Sequence, residues 1–313
     1  MKERAFLWIS FFLSLRISGA IPFVNNEKEG TLHVFLEGKE AFVYRYGADL
    51  DLVHYWPLRS PSGRSMTVQY PKIYPHHRSF WFADTVSLAG NRKASFYNAF
   101  YTREKSNKGF GFRDHIRHVR FLQLESKGGI LKIVSLILWE MDWRKPVLEE
   151  YRDLRVRSLG NGEYFMDLAF VLKASYGDVT FLSDAVHYAW PYIRLNDTYN
   201  VQNGGKIVNS EGGLNQKGTN GKVARWVDYT NSVDGCVEGV AIFSHPSNPH
   251  PHRWLTRDYG CFGPRRTDER SGRPFTLKRG EKLVQRVGIL VHRGDTKKGD
   301  VAEKYKLYCE GRL

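Results

Sequence analysis

The chain has 313 residues, 42% of them hydrophobic and 26% charged, with 29 Gly, 12 Pro and 3 Cys. A chain this long and this apolar can bury an ordinary core, which excludes a disordered polymer and a small disulfide-stapled scaffold. Its formal charge of +14 at pH 7 admits nucleic acid, an anionic membrane surface or an acidic glycan as partner, and says nothing about fold.

Lys2 and Arg4 precede an apolar run from Ala5 to Leu15, and Ser18-Gly19-Ala20 follows with the small residues that a signal peptidase needs. This is the three-part pattern of a secretory signal, and the run is too short to span a bilayer. We therefore expect residues 1–20 to be a signal peptide cleaved near Ala20, and residues 21–313 to form one secreted or periplasmic domain. Loss of Lys2, Glu3, Arg4 and Arg16 would leave the mature chain at +12. No later stretch approaches the roughly eighteen apolar residues of a membrane helix. A secreted basic chain without a zinc-finger spacing, a basic helical stripe or an aromatic RNA-binding signature points away from nucleic acid and towards an anionic polysaccharide.

Most of the chain reads as short β-branched and aromatic strands separated by Gly, Asn, Asp and Pro clusters. Leu32–Leu36 and Ala41–Tyr46 flank Glu37-Gly38-Lys39-Glu40 as a hairpin. Leu131–Trp139 follows, and then Val147–Leu159 and Tyr164–Leu172 meet at Asn161-Gly162, which suits both central positions of a type I′ turn. Val179–Leu182, Val237–Phe243 and Leu283–His292 complete the strand set, and the Gly- and Asn-rich stretch Asn203–Lys222 reads as a long loop between them. At the C-terminus Asp300 can cap a helix and Glu303 complete a capping box, with Val301, Tyr305 and Tyr308 on its buried face. The fold class expected is all-β: an antiparallel β-sandwich of supersandwich or jelly-roll type with a short C-terminal helix.

Four segments concentrate residues that can do chemistry. In Tyr74-Pro75-His76-His77-Arg78-Ser79-Phe80-Trp81, two histidines precede an aromatic run; on a strand they would face opposite ways, and Pro75 supplies a turn that could bring both to one site. Asp114-His115-Ile116-Arg117-His118 could pair two histidines on a helix face, but no third ligand can be assigned, and no metal or cofactor is expected. Alternation along Leu148–Val156 places Glu150 and Arg152 on an otherwise apolar face, as a structural ion pair or part of a cleft floor. The segment from Trp226 to Arg266 carries Asp228, Tyr229, His245, Asn248, Trp254, Arg257 and Tyr259 on a proline-stiffened path. Its tryptophans and tyrosines can stack on sugar rings while the polar groups hydrogen-bond. Cys236, Cys261 and Cys309 form no CxxC pair, and their number leaves any disulfide pairing open.

From about Glu40 onwards the chain resembles the family labelled methane oxygenase PmoA. The resemblance rests on His76-His77-Arg78-Ser79-Phe80-Trp81-Phe82, on Gly212-Gly213 through Trp226-Val227-Asp228-Tyr229, on Gly239 through Asn248, and on Trp254–Gly260 and Val291–Asp295. The methane-oxygenase label would imply a membrane copper enzyme, which needs several membrane helices that this sequence lacks. The resemblance implies instead a β-sandwich related to sugar-binding and sugar-processing supersandwich folds. The expected function is an exported carbohydrate-active enzyme that cleaves an acidic glycan as a glycoside hydrolase or polysaccharide lyase, with non-catalytic glycan binding as the alternative. Hydrolysis calls for two carboxylates, for which Glu150 and Asp228 are the candidates. Elimination calls for a base such as His77 or His245 and a cation such as Arg257. Substrate contacts are expected from His76, Arg78, Trp81, Arg152, Trp226, Tyr229, Asn248, Trp254 and Tyr259.

Overall fold

The computed structural model describes residues 19–106, 109–182, 188–248, 252–266 and 273–313. The expected signal segment lies almost wholly outside the described residues, as do residues 249–251 of the proline-rich segment. Two eight-stranded antiparallel sheets dominate. In spatial order the first comprises Phe23–Asn26, Thr31–Leu36, Lys39–Arg45, His54–Leu58, Phe80–Trp81, Tyr192–Arg194, Cys261–Pro264 and Trp254–Arg257. The second comprises His115–Lys127, Ile130–Met141, Lys145–Gly160, Glu163–Lys173, Lys282–Arg293, Cys236–Ser244, Trp226–Val233 and Lys206–Asn209. A four-stranded sheet (Phe275–Leu277, Val179–Phe181, Thr85–Leu88, Lys93–Ser95) and a small hairpin complete the β structure.

The sheets face each other across one core. Phe42, Tyr55, Phe80, Ile193 and Phe262 of the first meet Ile133, Ile137, Leu154, Leu168, Ile242 and Ile289 of the second. Alternation explains the layer: in Lys145–Gly160, residues Leu148, Glu150, Arg152, Leu154 and Val156 are buried while their neighbours Glu149, Tyr151, Asp153 and Arg155 are not. A satellite cluster of Phe165, Trp226, Phe243, Leu290, Val301 and Tyr308 lies under the C-terminal helix Val301–Cys309.

The Asn161-Gly162 turn forms as expected, with φ of 54° and 77°. Its tip also closes one rim of the sandwich. A Cβ on Gly162 would stand 2.4 Å from the Pro61 carbonyl of the other sheet's loop, Gly162 N–H donates to Glu37 Oε2 at 3.0 Å, and Arg293 donates to the carbonyls of Asn161 (2.8 Å) and Pro61 (3.1 Å). Beside it, buried Glu238 accepts from Ser62 N–H at 2.7 Å and Ser62 Oγ at 2.8 Å.

Three expectations change. Asp300 does not cap the C-terminal helix: it sits in the left-handed region at φ 51° with no side-chain cap bond, because the preceding loop is turned by Asp295, whose carboxylate takes the N–H groups of Lys297 and Lys298. Asn203–Lys222 is not a plain loop but holds the strand Lys206–Asn209 and the short helix Asn215–Thr219. Asparagine side chains stand in for backbone partners there, with Asn209 Oδ1 accepting from Gly213 N–H at 2.7 Å and Asn215 Oδ1 from Ile207 N–H at 3.0 Å. His115 and His118 lie on a strand rather than a helix and take separate partners, Glu140 at 2.9 Å and the Tyr44 hydroxyl at 3.3 Å.

Candidate functional site

The site lies on the outward face of the first sheet, where four short strands meet. Trp81 pairs with Tyr192 in register, Arg194 with Cys261, and Cys261 with Arg257. Because side chains alternate, these five share one face, while Phe80, Ile193, Phe262 and Thr256 point into the core. Trp81 and Tyr192 stack with centroids 4.7 Å apart and 13° between planes. Two covering segments close over them. Tyr97 packs 5.4 Å from Tyr192 and 4.5 Å from Tyr188, and the Tyr74–Arg78 turn lays His77 5.4 Å from Trp81.

The turn does bring both histidines to the same place. Their rings meet edge-on at 4.6 Å; His77 Nε2 shares a 2.8 Å hydrogen bond with the Tyr97 hydroxyl, and His76 Nδ1 one of 3.1 Å with the Tyr101 hydroxyl. Tyr74 stacks on His77 at 4.9 Å and leans on Tyr259 at 5.4 Å, so an aromatic wall runs from the histidines to the turn after Arg257. Arg194 lies over the Tyr259 ring at 4.9 Å and donates to the carbonyls of Tyr259 and Leu195, while Arg257 Nη1 donates to Asn220 Oδ1 at 2.7 Å.

Among the described residues the charge on this face is predominantly positive. Arg194, Arg253, Arg257 and Arg265 stand against Asp197, 3.6 Å from Arg194, and Asp258 at the edge. Burial, followed by His76, Arg194 and Arg78, pushes the His77 pKa down to about 2. Burial and Arg78 push His76 down to about 4. Both imidazoles are therefore neutral near pH 7; burial keeps His77 from taking up a proton, and the half-buried His76 is the more available of the two as a base. Burial drives the Cys261 thiol, between the two arginines, up to about 12, which makes it an inert space-filler. Five buried polar atoms of this region, His77 Nδ1, Trp81 Nε1, the Tyr192 hydroxyl, Arg194 Nε and Arg265 Nε, have no hydrogen-bond partner among the described residues. Buried polar groups are normally paired, and a cluster of unpaired ones marks a place for water or ligand.

Of the residues singled out in the sequence, His76, His77, Trp81, Arg257 and Tyr259 come together here. Arg78 lies behind them, fully buried in an ion pair with Asp51 and stacked 3.9 Å over Tyr70. The others are elsewhere. Glu150 and Arg152 pair at 2.6 Å between the sheets, with Trp139 Nε1 donating to Glu150 at 2.9 Å. Asp228 is buried against His292 at 3.0 Å and Thr296 Oγ1 at 2.7 Å. His245 lies 5.0 Å from Tyr308 and bonds Ser247 Oγ at 2.6 Å, and Asn248 pins the backbone of Arg286. Trp226 is under the C-terminal helix, Trp254 is wholly buried with Nε1 donating to the Ala224 carbonyl, and the Tyr229 hydroxyl bonds backbone at Asp258 and Val201. Tyr74, Tyr97, Tyr101, Tyr192, Arg194 and Arg265 belong to the site and carry no local signal of it, apart from the position of Tyr74 beside the paired histidines.

Fold and site together define an antiparallel β-sandwich with a histidine–arginine site walled by aromatic rings. Over residues 31–306 the sequence matches the family described as "Family of unknown function (DUF6807)", and the chain belongs to that family. This corrects the resemblance to the PmoA family, which no comparison supports. No curated protein matches the sequence. Similar solved structures include the GH36 α-galactosidase AgaB from Geobacillus stearothermophilus, at 9% identity and TM-score 0.48, covering 88% of this chain and 41% of that one. A polysaccharide lyase matches at 13% identity and TM-score 0.36, over 85% of this chain and 33% of its own. Galactose 1-epimerase from Lactobacillus acidophilus matches at 8% identity and TM-score 0.37, over 87% and 98%. The chain thus spans about two fifths of the length of the α-galactosidase.

Proposed function

We propose that this protein binds an anionic glycan on the aromatic and arginine-rich face of the first sheet and cleaves it by β-elimination. The observation that carries the reading is the neutral His76–His77 pair set beside Arg194 and Arg257, on a face where arginines outnumber carboxylates among the described residues. Hydrolysis would need two carboxylates flanking one bond. Among the described residues Glu150 and Asp228 are each buried in their own ion pair, on different strands of the second sheet.

The chemistry follows from the groups present. Arg257 and Arg194 hold the uronate carboxylate and stabilise the charge that moves onto it as the neighbouring C–H is deprotonated. His76, half-buried and oriented by Tyr101, takes the proton from C5. The C5 electron pair forms the C4–C5 double bond, the C4–O bond breaks, and the departing oxygen takes a proton. Tyr259 gives it: burial raises its pKa and keeps the hydroxyl protonated until substrate arrives, while the Arg257 and Arg194 charges work the other way and stabilise the phenolate left behind. An arriving carboxylate also raises the pKa of His76 from its low resting value, which strengthens it as a base when substrate is present.

The test is a panel of neutral and uronate oligosaccharides read by the ultraviolet absorbance of the C4–C5 double bond of an unsaturated uronate. Uronate-dependent absorbance abolished by His76→Ala is expected; cleavage without absorbance would overturn elimination. A second reading, glycan binding without cleavage, is favoured by the exposed rings of Tyr70, Tyr74 and Tyr101 at the rim, and uronate binding with no product would select it. We also propose export. The N-terminal sequence of the mature protein should begin at Ile21, and a retained Met1 would refute it.

A further inference from the structure

On the far side of Tyr259 from the histidines lies an open cleft of about 530 Å³, lined by Gln202, Gln216, Lys217, Asn220, Asp258 and Tyr259. Its volume is within the roughly 300–1,000 Å³ of ordinary small-ligand sites. The walls are built rather than incidental. Gln216 N–H donates to Asp258 Oδ1 at 2.8 Å and Asp258 N–H to Gln216 Oε1 at 3.1 Å, which clasps the short helix Asn215–Thr219 to the Asp258–Gly260 turn. Thr219 Oγ1 meets Thr256 Oγ1 at 2.7 Å beneath them, and the Tyr229 hydroxyl donates to the Asp258 carbonyl at 2.9 Å.

These bonds consume particular atoms. Gln216 and Asn220 use their amide oxygens, Asn220 on Thr256 N–H at 3.2 Å and Arg257 Nη1 at 2.7 Å, while their NH₂ groups have no partner among the described residues. Asp258 uses Oδ1 and keeps Oδ2. Lys217 and Asp258 cancel in charge, so the cleft offers a balanced set of donors and acceptors beside one aromatic ring. That set suits the hydroxyls of an uncharged sugar, whereas the face across Tyr259 suits a carboxylate. Asn220 belongs to both, lining the cleft while its Oδ1 holds Arg257.

We propose that this cleft is a second sugar subsite that takes a neutral residue next to the uronate, so that the ligand is a mixed glycan of acidic and neutral units. The proposal rests on the anionic-glycan reading above. Calorimetric titration with glucuronate and galacturonate, their homodimers, and disaccharides joining either uronate to a neutral hexose separates the two. In the wild type the mixed disaccharide should bind about tenfold tighter than the monosaccharide and than the diuronate. In Gln216→Ala or Lys217→Ala, both confirmed folded by melting temperature, that gain should shrink to about twofold or less. If a uronate binds but the mixed disaccharide is no tighter, or if the gain survives both substitutions, the subsite is wrong and the anionic-glycan reading stands. If no uronate-containing sugar binds, both fall.

Discussion

Replacing Glu150 by glutamine should cost stability rather than chemistry. Glu150 and Arg152 are both buried between the sheets, joined by a 2.6 Å hydrogen bond to Arg152 Nε, and the guanidinium is flanked by Phe170 at 5.3 Å and Tyr55 at 6.0 Å. Burial works to lower the Arg152 pKa, but Glu150 outweighs it and holds the guanidinium charged. Glutamine keeps the shape and can still accept from Trp139 Nε1, but it leaves a buried cation without a counter-charge. Breaking one side of such a pair costs about 3–5 kcal/mol. For a chain of this size that is a fall in melting temperature of roughly 6–10 °C. Replacing both partners by apolar residues of matching volume, Glu150→Leu with Arg152→Met, should recover most of the loss, since apolar replacement of a buried pair is often neutral. Thermal unfolding followed by circular dichroism measures all three variants. A Glu150→Gln variant that melts within a degree of the wild type would refute an uncompensated buried cation, and loss of glycan turnover at unchanged stability would refute a structural role for the pair.

Acid should destabilise the fold early. Burial first of all pushes His54, His77 and His252 down to about 4, 2 and 3, so below pH ~6.5 the unfolded chain binds protons that the folded chain refuses. Each should cost about 2 kcal/mol by pH 5, and a urea midpoint unchanged between pH 7 and 5 would contradict this. His292 behaves oppositely. Burial lowers its pKa, but Asp228 and the Arg293 carbonyl overcome that and raise it. The pair's contribution is complete below the unfolded value of ~6.5 and fades as pH rises through the raised one, so Asp228→Asn should lose more stability at pH 6 than at pH 9. At the site, Arg257→Ala should weaken galacturonate-oligomer binding about tenfold and flatten its dependence on salt, and equal salt slopes would deny Arg257 a direct ionic contact.

The layer structure was legible because period-two alternation and turn chemistry are local. Asn161-Gly162 names its own turn, and the Leu148–Val156 pattern places its buried face correctly, charges included. What that pattern does not contain is whether a buried Glu150 meets a substrate or an arginine two positions along the same strand. The candidate site was legible where its residues are contiguous, in the run from His76-His77 to Trp81 and at Arg257-Asp258-Tyr259. Tyr192 and Arg194 reach it by pairing with Trp81 and Cys261, and Tyr97 by packing on Tyr188 and Tyr192, all contacts between segments distant in sequence, and no single window holds such information. The helix cap failed for a related reason: Asp300 satisfies the composition rule, but the Asp295 turn determines the backbone angle at which the chain enters the helix.

The closed rim at Gly162 joins elements that share no hydrogen-bonded ladder. Pro61 belongs to a loop of the first sheet, while Asn161, Gly162 and Arg293 belong to the second, and their contacts are too close to admit even a methyl group. Neither sheet can fray from that end without unseating the other. Amide protons of Leu58, Gly63 and Tyr164 should therefore exchange with solvent as one cooperative unit, although in sequence they are spread over about a third of the chain.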